Sequence, residues 1–389
     1  MNKVVIAGIG QTDVAEQWDT SLRELGLYAM EAAMQDAAGL RPTALYVGNM
    51  LAGHLSHQTH LGALLADFAG LHGIEAASIE AAGASGGMAL RVGTLAVASG
   101  MVDAALVLGV EKFSDQVTSR VEAALAAGTD TDYEAEQGLT LTAQAAMLAQ
   151  RYQHEFEPPE HALAGFPLTA HANGAHNRHA MFRKAVKPEV YARSGMVSAP
   201  LNMFDIAPPA DGAAAVLLTR EDLLPPGFPH PLVEVAGSSA VSDTLALHDR
   251  PDPLSFNAAR LSMERACALA GITPQDADLF ELFDAFSIYS ALSLEAAGFA
   301  ARGEGWKWAQ NGAIQLDGEL PIATMGGLKA RGFPGGATGV YQAVEAALQL
   351  RGEAGDAQVH GAQVALVQSL GGPASTAVTH VLKAMPETK

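Results

Sequence analysis

The amino-acid sequence predicts an α/β fold made of two similar halves, and three observations support this. Short apolar segments alternate with segments of helical periodicity along the whole chain. A proline-rich stretch divides this alternation near the middle. Of the 389 residues, 49% are hydrophobic, only 17% are charged and 40 are glycine, which is typical of a compact protein with many tight turns. A layered α/β/α arrangement follows.

The first half is predicted to span residues 1–225. A helix over residues 84–98 is rich in alanine and nearly without charge, so it should lie inside the protein. Residues 120–200 are less periodic and carry more His, Asn and Pro, which indicates a loop domain or helical insertion. The other predicted elements are strands at 4–9, 45–47, 77–80, 104–108 and from 211, and a helix at 21–38.

The second half is predicted to span residues 232–389 and to repeat the first in outline. Its linker is LLPPGFPHP, residues 223–231, which contains four prolines. Strands are expected at 232–235, 279–282, 363–368 and 374–382, and helices at 255–270 and 337–349. The repetition is one of element order, because no sequence period is visible.

Charge and cysteine content exclude several classes of function. The net charge of −19 and the lack of basic runs argue against nucleic-acid binding. The single Cys267 excludes an intramolecular disulfide and a cysteine-based metal cluster, and it reads as a small buried hydrophobe. The first residues lack the pattern of a signal peptide, and no apolar run is long enough to span a bilayer, so a cytoplasmic protein without membrane insertion is expected.

Three segments crowd glycines and small residues at a strand-to-helix turn. They are EAAGASGG (80–87), GGLKARGFPGGATG (326–339) and SLGGPAS (369–375). Such turns gather backbone N–H groups and a helix N-terminus at one point, where an anion or oxyanion can be stabilised. Taken singly, such turns are as often packing solutions.

With LGVEKF (108–113), FDIAPPADGAAAV (204–216), SDTLALHDR (242–250) and ELFDAF (281–286), these segments resemble the successive motifs of the thiolase superfamily. The similarity runs from residue 4 to 382 and is strongest to the SCP2-type and archaeal acetoacetyl-CoA thiolases. It implies a thiolase-like duplicated fold with a loop-domain insertion in the first half. It also implies CoA thioesters as ligands, with no cofactor.

The residues on which thiolase chemistry depends are replaced. The family's nucleophilic cysteine corresponds to Gly83, and its two histidines correspond to Phe283 and Phe333. Where the family has a second cysteine or an asparagine before the glycines, the chain has Ser369. Glycine cannot carry an acyl group and phenylalanine cannot transfer a proton, so the usual acyl-enzyme route is closed. The replacements predict an apolar, roomier pocket walled by aromatic rings.

Other polar groups of the same segments are candidates for this pocket. They are Ser85, Asp284, Ser287, Tyr289, Tyr341 and the backbone of Gly371 and Gly372, with packing as the alternative interpretation of both tyrosines. His171 and Asn173 match a family loop and are expected at the substrate entrance. The spacing of His171, His176 and His179 fits no zinc site, so no metal is expected.

Three functions compete. The first is a thiolase-like protein that binds acyl-CoA without acyl transfer, as a pseudoenzyme or scaffold subunit. The second is a retro-aldol C–C lyase on CoA thioesters, which needs no cysteine. The third is the acetyl-CoA acetyltransferase activity of the family, an acyltransferase role in lipid metabolism. The resemblance also implies a homodimer and a DUF35 OB-fold partner.

Overall fold

A computed structural model describes residues 2–386 of the chain. The strands are β1 Val4–Gln11, β2 Ala44–Gly48, β3 Glu75–Ile79, β4 Ala104–Glu111, β5 Met196–Ser198, β6 Leu201–Asn202, β7 Gly212–Arg220, β8 Val233–Ser242, β9 Leu279–Glu281, β10 Val364–Gly371 and β11 Thr376–Ala384. The helices are α1 Leu22–Asp36, α2 Ala52–Leu55, α3 Leu61–Phe68, α4 Ser85–Ser99, α5 Thr118–Ala126, α6 Leu141–Phe156, α7 Gly165–Gly174, α8 Pro188–Ala192, α9 Asn257–Ala270, α10 Ser287–Ala296 and α11 Thr338–Arg351.

Nine of the strands form one mixed sheet in the order β3-β2-β4-β7-β1-β8-β11-β10-β9. The first five come from the first half of the chain and the last four from the second half. Only two residue pairs join β1 to β8, Val5 with Glu234 and Ile6 with Val233. The sheet therefore consists of two parts with a narrow seam between them.

Two helices lie between the two parts of the sheet. Both α4 and α11 contact strands of the first half, including β4 and β7, and strands of the second half, including β10 and β11. Helices α1 and α3 cover the outer face of the first part, and α9 covers that of the second. The result is the predicted layered α/β fold. No helix among residues 2–386 is long and apolar enough to cross a membrane.

Most predicted elements have their counterpart within a few residues. The apolar helix predicted at 84–98 is α4, and its placement between two sheets explains why it lacks charge. Helices α2, α3, α5 and α10 were not predicted. The less regular region holds α6, α7, α8 and the separate β5–β6 pair. The division into domains at 1–225 and 232–389 stays a prediction, since one sheet spans both.

Candidate active site

Gly83 lies in the turn that leads from β3 into α4. Ala82 holds a φ of +49°, an unfavourable conformation for a residue with a side chain, and Ala82–Ala84 form one 3₁₀ turn before α4 begins. The Ser85 hydroxyl accepts a hydrogen bond from Ala81 N (2.9 Å) and donates one to Ala82 O (2.6 Å). Both bonds brace the turn, so Ser85 stabilises the backbone conformation around Gly83; the correspondence of Gly83 to the family's nucleophile stays a prediction.

The side chain of Phe283 occupies the space beside Gly83. A Cβ atom built on Gly83 would lie 2.9 Å from Cζ of Phe283 and 2.6 Å from the carbonyl oxygen of Leu370. Both distances are below ordinary van der Waals contact. The expectation of a roomier pocket is therefore wrong at this point, because the ring fills the volume that the absent side chain would need.

Phe283 belongs to an aromatic group that we call the phenylalanine cluster: Phe113, Phe283 and Phe333. The Phe283 and Phe333 rings stand edge to face with centroids 5.8 Å apart, and Phe113 lies 6.5 Å from Phe333. None of the three is more than 5% exposed. Together with Met50 and Leu370 they form part of one hydrophobic core. The centre of the site thus has rings where acyl transfer needs groups that titrate.

Glu111, at the end of β4, is a site residue that the sequence analysis missed. Its fully buried carboxylate accepts hydrogen bonds from Asn49 Nδ2 and the backbone N–H of Met50, Leu51 and Gly336, at 2.8–3.1 Å. Burial raises its pKa to about 7 although these bonds act to lower it. The carboxylate joins the 49–51 loop to the loop that carries Phe333. The sequence feature that could have identified Glu111 is its position as the single acidic residue of an otherwise apolar strand.

The C-terminal glycine segment closes the site from the second half. The Ser369 hydroxyl is buried and has no hydrogen-bond partner among residues 2–386. If Gly87 and Gly339 carried Cβ atoms, these would lie 2.2 Å and 3.0 Å from the Oγ of Ser369. The hydroxyl is therefore tightly packed between α4 and α11. Gly371 and Gly372 pack against Ala81 O and Gly128 O, which leaves no room for side chains there. These glycines permit close packing around the turn.

Asp284 is hydrogen-bonded to a π-helical turn, Gly327–Arg331. Its Oδ1 accepts a hydrogen bond from Leu328 N at 2.7 Å, and burial raises its pKa. Within the same turn, Lys329 donates to Asp205 O (2.7 Å), and burial lowers the pKa of this lysine to about 8. Asp284 therefore orders the segment that leads to Phe333.

His171 and Asn173, on α7, are packed against this π-helical turn. They are 5% and 4% exposed. Asn173 Nδ2 donates to the carbonyls of Ile322 and Ala323, and the His171 ring contacts Phe182 and Phe204. Burial, and then the charge of Lys329, lower the pKa of His171 to about 4, so the ring is neutral. Their assignment to a substrate entrance stays a prediction.

The two candidate tyrosines lie in different places. Tyr289 packs edge to face on Phe256 and Phe286, and its hydroxyl is buried without a partner among residues 2–386. The neighbouring Ser287 hydroxyl is likewise unpartnered in that part of the chain. Tyr341 lies on α11, where its hydroxyl bonds to Thr12. Burial raises the pKa of both tyrosines, so each can donate a proton in a hydrogen bond but is a poor base.

Two remaining sequence features are the single cysteine and the possible metal ligands. Cys267 is buried with its Sγ 3.8 Å from Met263 Sδ, and burial raises the pKa of its thiol to about 11, which disfavours the reactive thiolate. Over residues 2–386, no group of three or more His, Cys, Asp or Glu side chains is arranged to hold a metal ion.

Low pH is expected to destabilise the protein through His380, which is hydrogen-bonded to helix α4. Its Nε2 lies 3.0 Å from Gly87 O, and burial lowers its pKa from 6.5 to about 4. The neutral ring contributes stability that is present above pH 6.5 and lost as the pH falls toward 4, by up to about 3 kcal/mol. The unfolding free energy should therefore be lower at pH 4.5 than at pH 7.5, and His380 accounts for part of that difference. We predict that His380→Gln, which retains a donor for Gly87, removes the contribution of His380.

Urea unfolding at the two pH values measures this difference. His54→Gln, at an exposed histidine, is the control and should leave the difference unchanged. An unaltered acid response in His380→Gln would contradict the assignment. His171 should supply a second contribution of the same sign.

Comparison with known proteins identifies the family to which this architecture belongs. The model "Thiolase, N-terminal domain" matches residues 4–222, and "Thiolase C-terminal domain-like" matches residues 239–384. The acetyl-CoA acetyltransferase of Methanothermobacter thermautotrophicus is 42% identical over 98% of this chain and 99% of its own length. The 17-hydroxy-3-oxo-4-pregnene-20-carboxyl-CoA lyase of Mycobacterium tuberculosis is 28% identical over 90% of this chain and 92% of its own length.

A similar solved structure is the Ltp2-ChsH2(DUF35) aldolase. It superimposes with a TM-score of 0.84 over 100% of this chain and 99% of that chain, at 22% sequence identity, which shows a shared fold. The two family models together cover most of the chain, and a relative above 30% identity extends over nearly all of it. The chain therefore belongs to the thiolase family.

Proposed function

We propose that this protein binds acyl-CoA thioesters without transferring the acyl group, as a non-catalytic or scaffold subunit. The observation that carries the proposal is the ring of Phe283 in the space where a side chain at position 83 would stand. Ligand binding is supported by membership of a family whose relatives are named for CoA thioesters, over nearly the full length of the chain.

The chemistry of the site agrees with this proposal. Acyl transfer needs a thiolate and groups that accept and return its proton. The phenylalanine cluster offers none of these, and the thiol of Cys267 lies in another hydrophobic cluster. The buried carboxylate of Glu111 already accepts hydrogen bonds from four donors of the protein. Its acceptor positions are therefore occupied and not open to a substrate.

The test is to assay acetoacetyl-CoA thiolysis by the purified protein beside calorimetric binding of acetyl-CoA, acetoacetyl-CoA and longer acyl-CoAs. Binding is expected, with thiolysis at least about 10⁴-fold below that of a cysteine-containing relative, because nucleophile and bases are lost together. Thiolysis at a rate comparable to that relative would overturn the proposal and support acetyl-CoA acetyltransferase activity. Absence of binding in the presence of a DUF35 partner would contradict the ligand assignment.

A second candidate is a retro-aldol C–C lyase that works with a DUF35 OB-fold partner. The likeness to the Ltp2-ChsH2(DUF35) aldolase and the relative named as a lyase favour it. In this reaction a base takes the proton of the β-hydroxyl, the Cα–Cβ bond breaks, and the β carbon becomes a carbonyl. The electron pair passes to the thioester as an enolate, which is then protonated at Cα.

The described site favours donors over bases. The buried, unpartnered hydroxyl of Tyr289 can donate a hydrogen bond to an enolate, whereas Tyr341 already donates to Thr12 O and Asp284 is engaged with Leu328 N. We therefore expect any lyase activity to appear only when a DUF35 protein is added. Mass spectrometry of a β-hydroxyacyl-CoA, incubated with and without that partner, distinguishes the cases. Cleavage by this chain alone would show that one of its own groups is the base.

A further inference from the structure

A cavity of about 540 Å³ lies between β1, α1 and α11, and none of the phenylalanine cluster lines it. Gly10, Val344 and Leu348 provide an apolar stretch of its lining. Part of the remaining lining is the segment His176–His179, which the thioester site does not use. The cavity is thus separate from the proposed acyl-CoA site.

Strand β1 and helix α11, which both line the cavity, run antiparallel. The Tyr341 hydroxyl lies 3.1 Å from Thr12 O, and Arg351 Nη2 lies 3.5 Å from Ile6 O. Lining residues on and just after α11 extend from Val344 to Asp356. Helical rise alone separates Val344 from the end of the helix by about 10 Å. The two ends of the cavity are therefore well apart.

One end carries nitrogen side chains: His176, Arg178 and His179. Arg178 Nε donates to His179 Nε2 at 2.9 Å, and His179 Nδ1 lies 2.7 Å from Asp13, which is not a lining residue. The exposed His176 side chain and the terminal nitrogens of Arg178 make no hydrogen bond to other residues of the 2–386 range. This end can receive an anionic group.

The other end carries three carboxylates: Asp36, Glu353 and Asp356. Asp36 is bonded by Arg351 (2.8 Å) and His230 (3.1 Å), and Glu353 by His230 (2.9 Å). Asp356 is exposed and has no ion-pair or hydrogen-bond partner in the described part of the chain. This end can receive a cation.

Gln11 supplies an independent sign that a polar group belongs in the cavity. Its Oε1 atom is buried and has no hydrogen-bond partner within residues 2–386, although the residue lines the cavity. An unpaired buried acceptor costs about 1–3 kcal/mol, which a donor on a ligand or an ordered water would recover. Gln11 ends β1 near His179, at the end that receives the anionic group, so an ordered water between its Oε1 and the ligand carboxylate is such a donor.

We propose that this cavity binds an extended zwitterion: a linear molecule with a carboxylate at one end and a primary ammonium at the other. The carboxylate lies against Arg178 and His176, and the ammonium lies toward Asp356. The aliphatic middle covers Val344 and Leu348. Each charge of the ligand meets the opposite charge at one end of the cavity. Because the ligand has no net charge, the acidic surface of the protein does not repel it.

The probe is 8-aminooctanoate, with octanoate and octylamine as matched ligands that each lack one charge. Calorimetry or ligand-observed NMR on the full chain should show binding of the zwitterion at least about tenfold tighter than either matched ligand. Equal binding of octanoate and 8-aminooctanoate would overturn the proposal, because the acidic end would then contribute nothing. Lack of any binding would also overturn it.

Two exposed substitutions test each end separately. Arg178→Gln should weaken 8-aminooctanoate by about tenfold and leave octylamine unchanged, and Asp356→Asn should weaken it similarly and leave octanoate unchanged. Asp317→Asn, at a charged residue of another surface cavity, is the control. Unchanged affinity in both variants would refute the assignment of the ends. Unaltered urea midpoints show that each variant is folded.

Discussion

Replacing Gly83 with alanine is expected to lower the free energy of unfolding by about 1–3 kcal/mol, although alanine adds only one methyl group. The added carbon would lie 2.9 Å from the Phe283 ring and 2.6 Å from Leu370 O. One of these neighbours must move, and both are buried in packed surroundings. Urea unfolding of the wild type and the variant measures the difference.

A double-mutant cycle separates the two contacts. Phe283→Ala should itself cost about 3–5 kcal/mol, because it leaves a cavity in the core. In that background, the cost of Gly83→Ala should fall by about 1 kcal/mol, and the remainder should report the contact with the Leu370 carbonyl. Gly53→Ala is the control, since its nearest neighbour would be Thr59 Cγ2 at 3.8 Å.

The result bears directly on function. Coupling between positions 83 and 283 would mean that the glycine and the phenylalanine ring are two parts of one packing arrangement. Gly83→Cys would then destabilise the chain in the same way and would not by itself restore acyl transfer. Independent effects of the two substitutions would contradict this account.

The fold could be predicted from the sequence because its elements follow simple patterns. The apolar runs of β1, β4 and β7 are buried on both faces, and such runs are read as strands without further context. Helix α10 escaped prediction because its residues are buried on almost every side. Its serines are small and its one charged residue is Glu295, so no charged face marks a helical period.

The site could be predicted in part. The resemblance selected Gly83, Phe283 and Phe333, and the structure brings these residues together. The contact of the Phe283 ring with Gly83 could not be predicted from the sequence. It depends on the direction of the Phe283 side chain and on the position of a backbone carbonyl of β10. Glu111 escaped for a similar reason, because its donors come from two distant loops.

Replacing Arg331 with methionine is expected to lower the free energy of unfolding by about 3–5 kcal/mol near neutral pH. The Arg331 and Glu345 side chains are both 0% exposed, and Nη1 lies 2.9 Å from Glu345 Oε2. The guanidinium also lies 4.8 Å from the centre of the Tyr341 ring. Arg331 ends the π-helical turn before Phe333, so its loss should also loosen the phenylalanine cluster.

The pH dependence identifies the cause. Burial raises the pKa of Glu345 from 4.5 to about 8, although Arg331 acts to lower it. A raised carboxyl pKa contributes stability below pH 4.5 that is lost as the pH rises toward 8. Without Arg331 this loss is larger, so the cost of Arg331→Met should increase between pH 5 and pH 8. Unfolding of the variant by urea at both pH values measures it.

Two further variants make this prediction specific to a buried pair. Arg331→Met combined with Glu345→Leu should recover most of the stability and remove the increase in cost between pH 5 and pH 8, because neither member of this pair remains to be ionised. Arg260→Met breaks an exposed pair with Glu264 at 2.7 Å and should cost less than about 1 kcal/mol. If the double variant were no more stable than Arg331→Met at pH 8, the buried, unpaired carboxyl group of Glu345 would not be the source of the loss. Packing of the guanidinium on Tyr341 would then have to explain it.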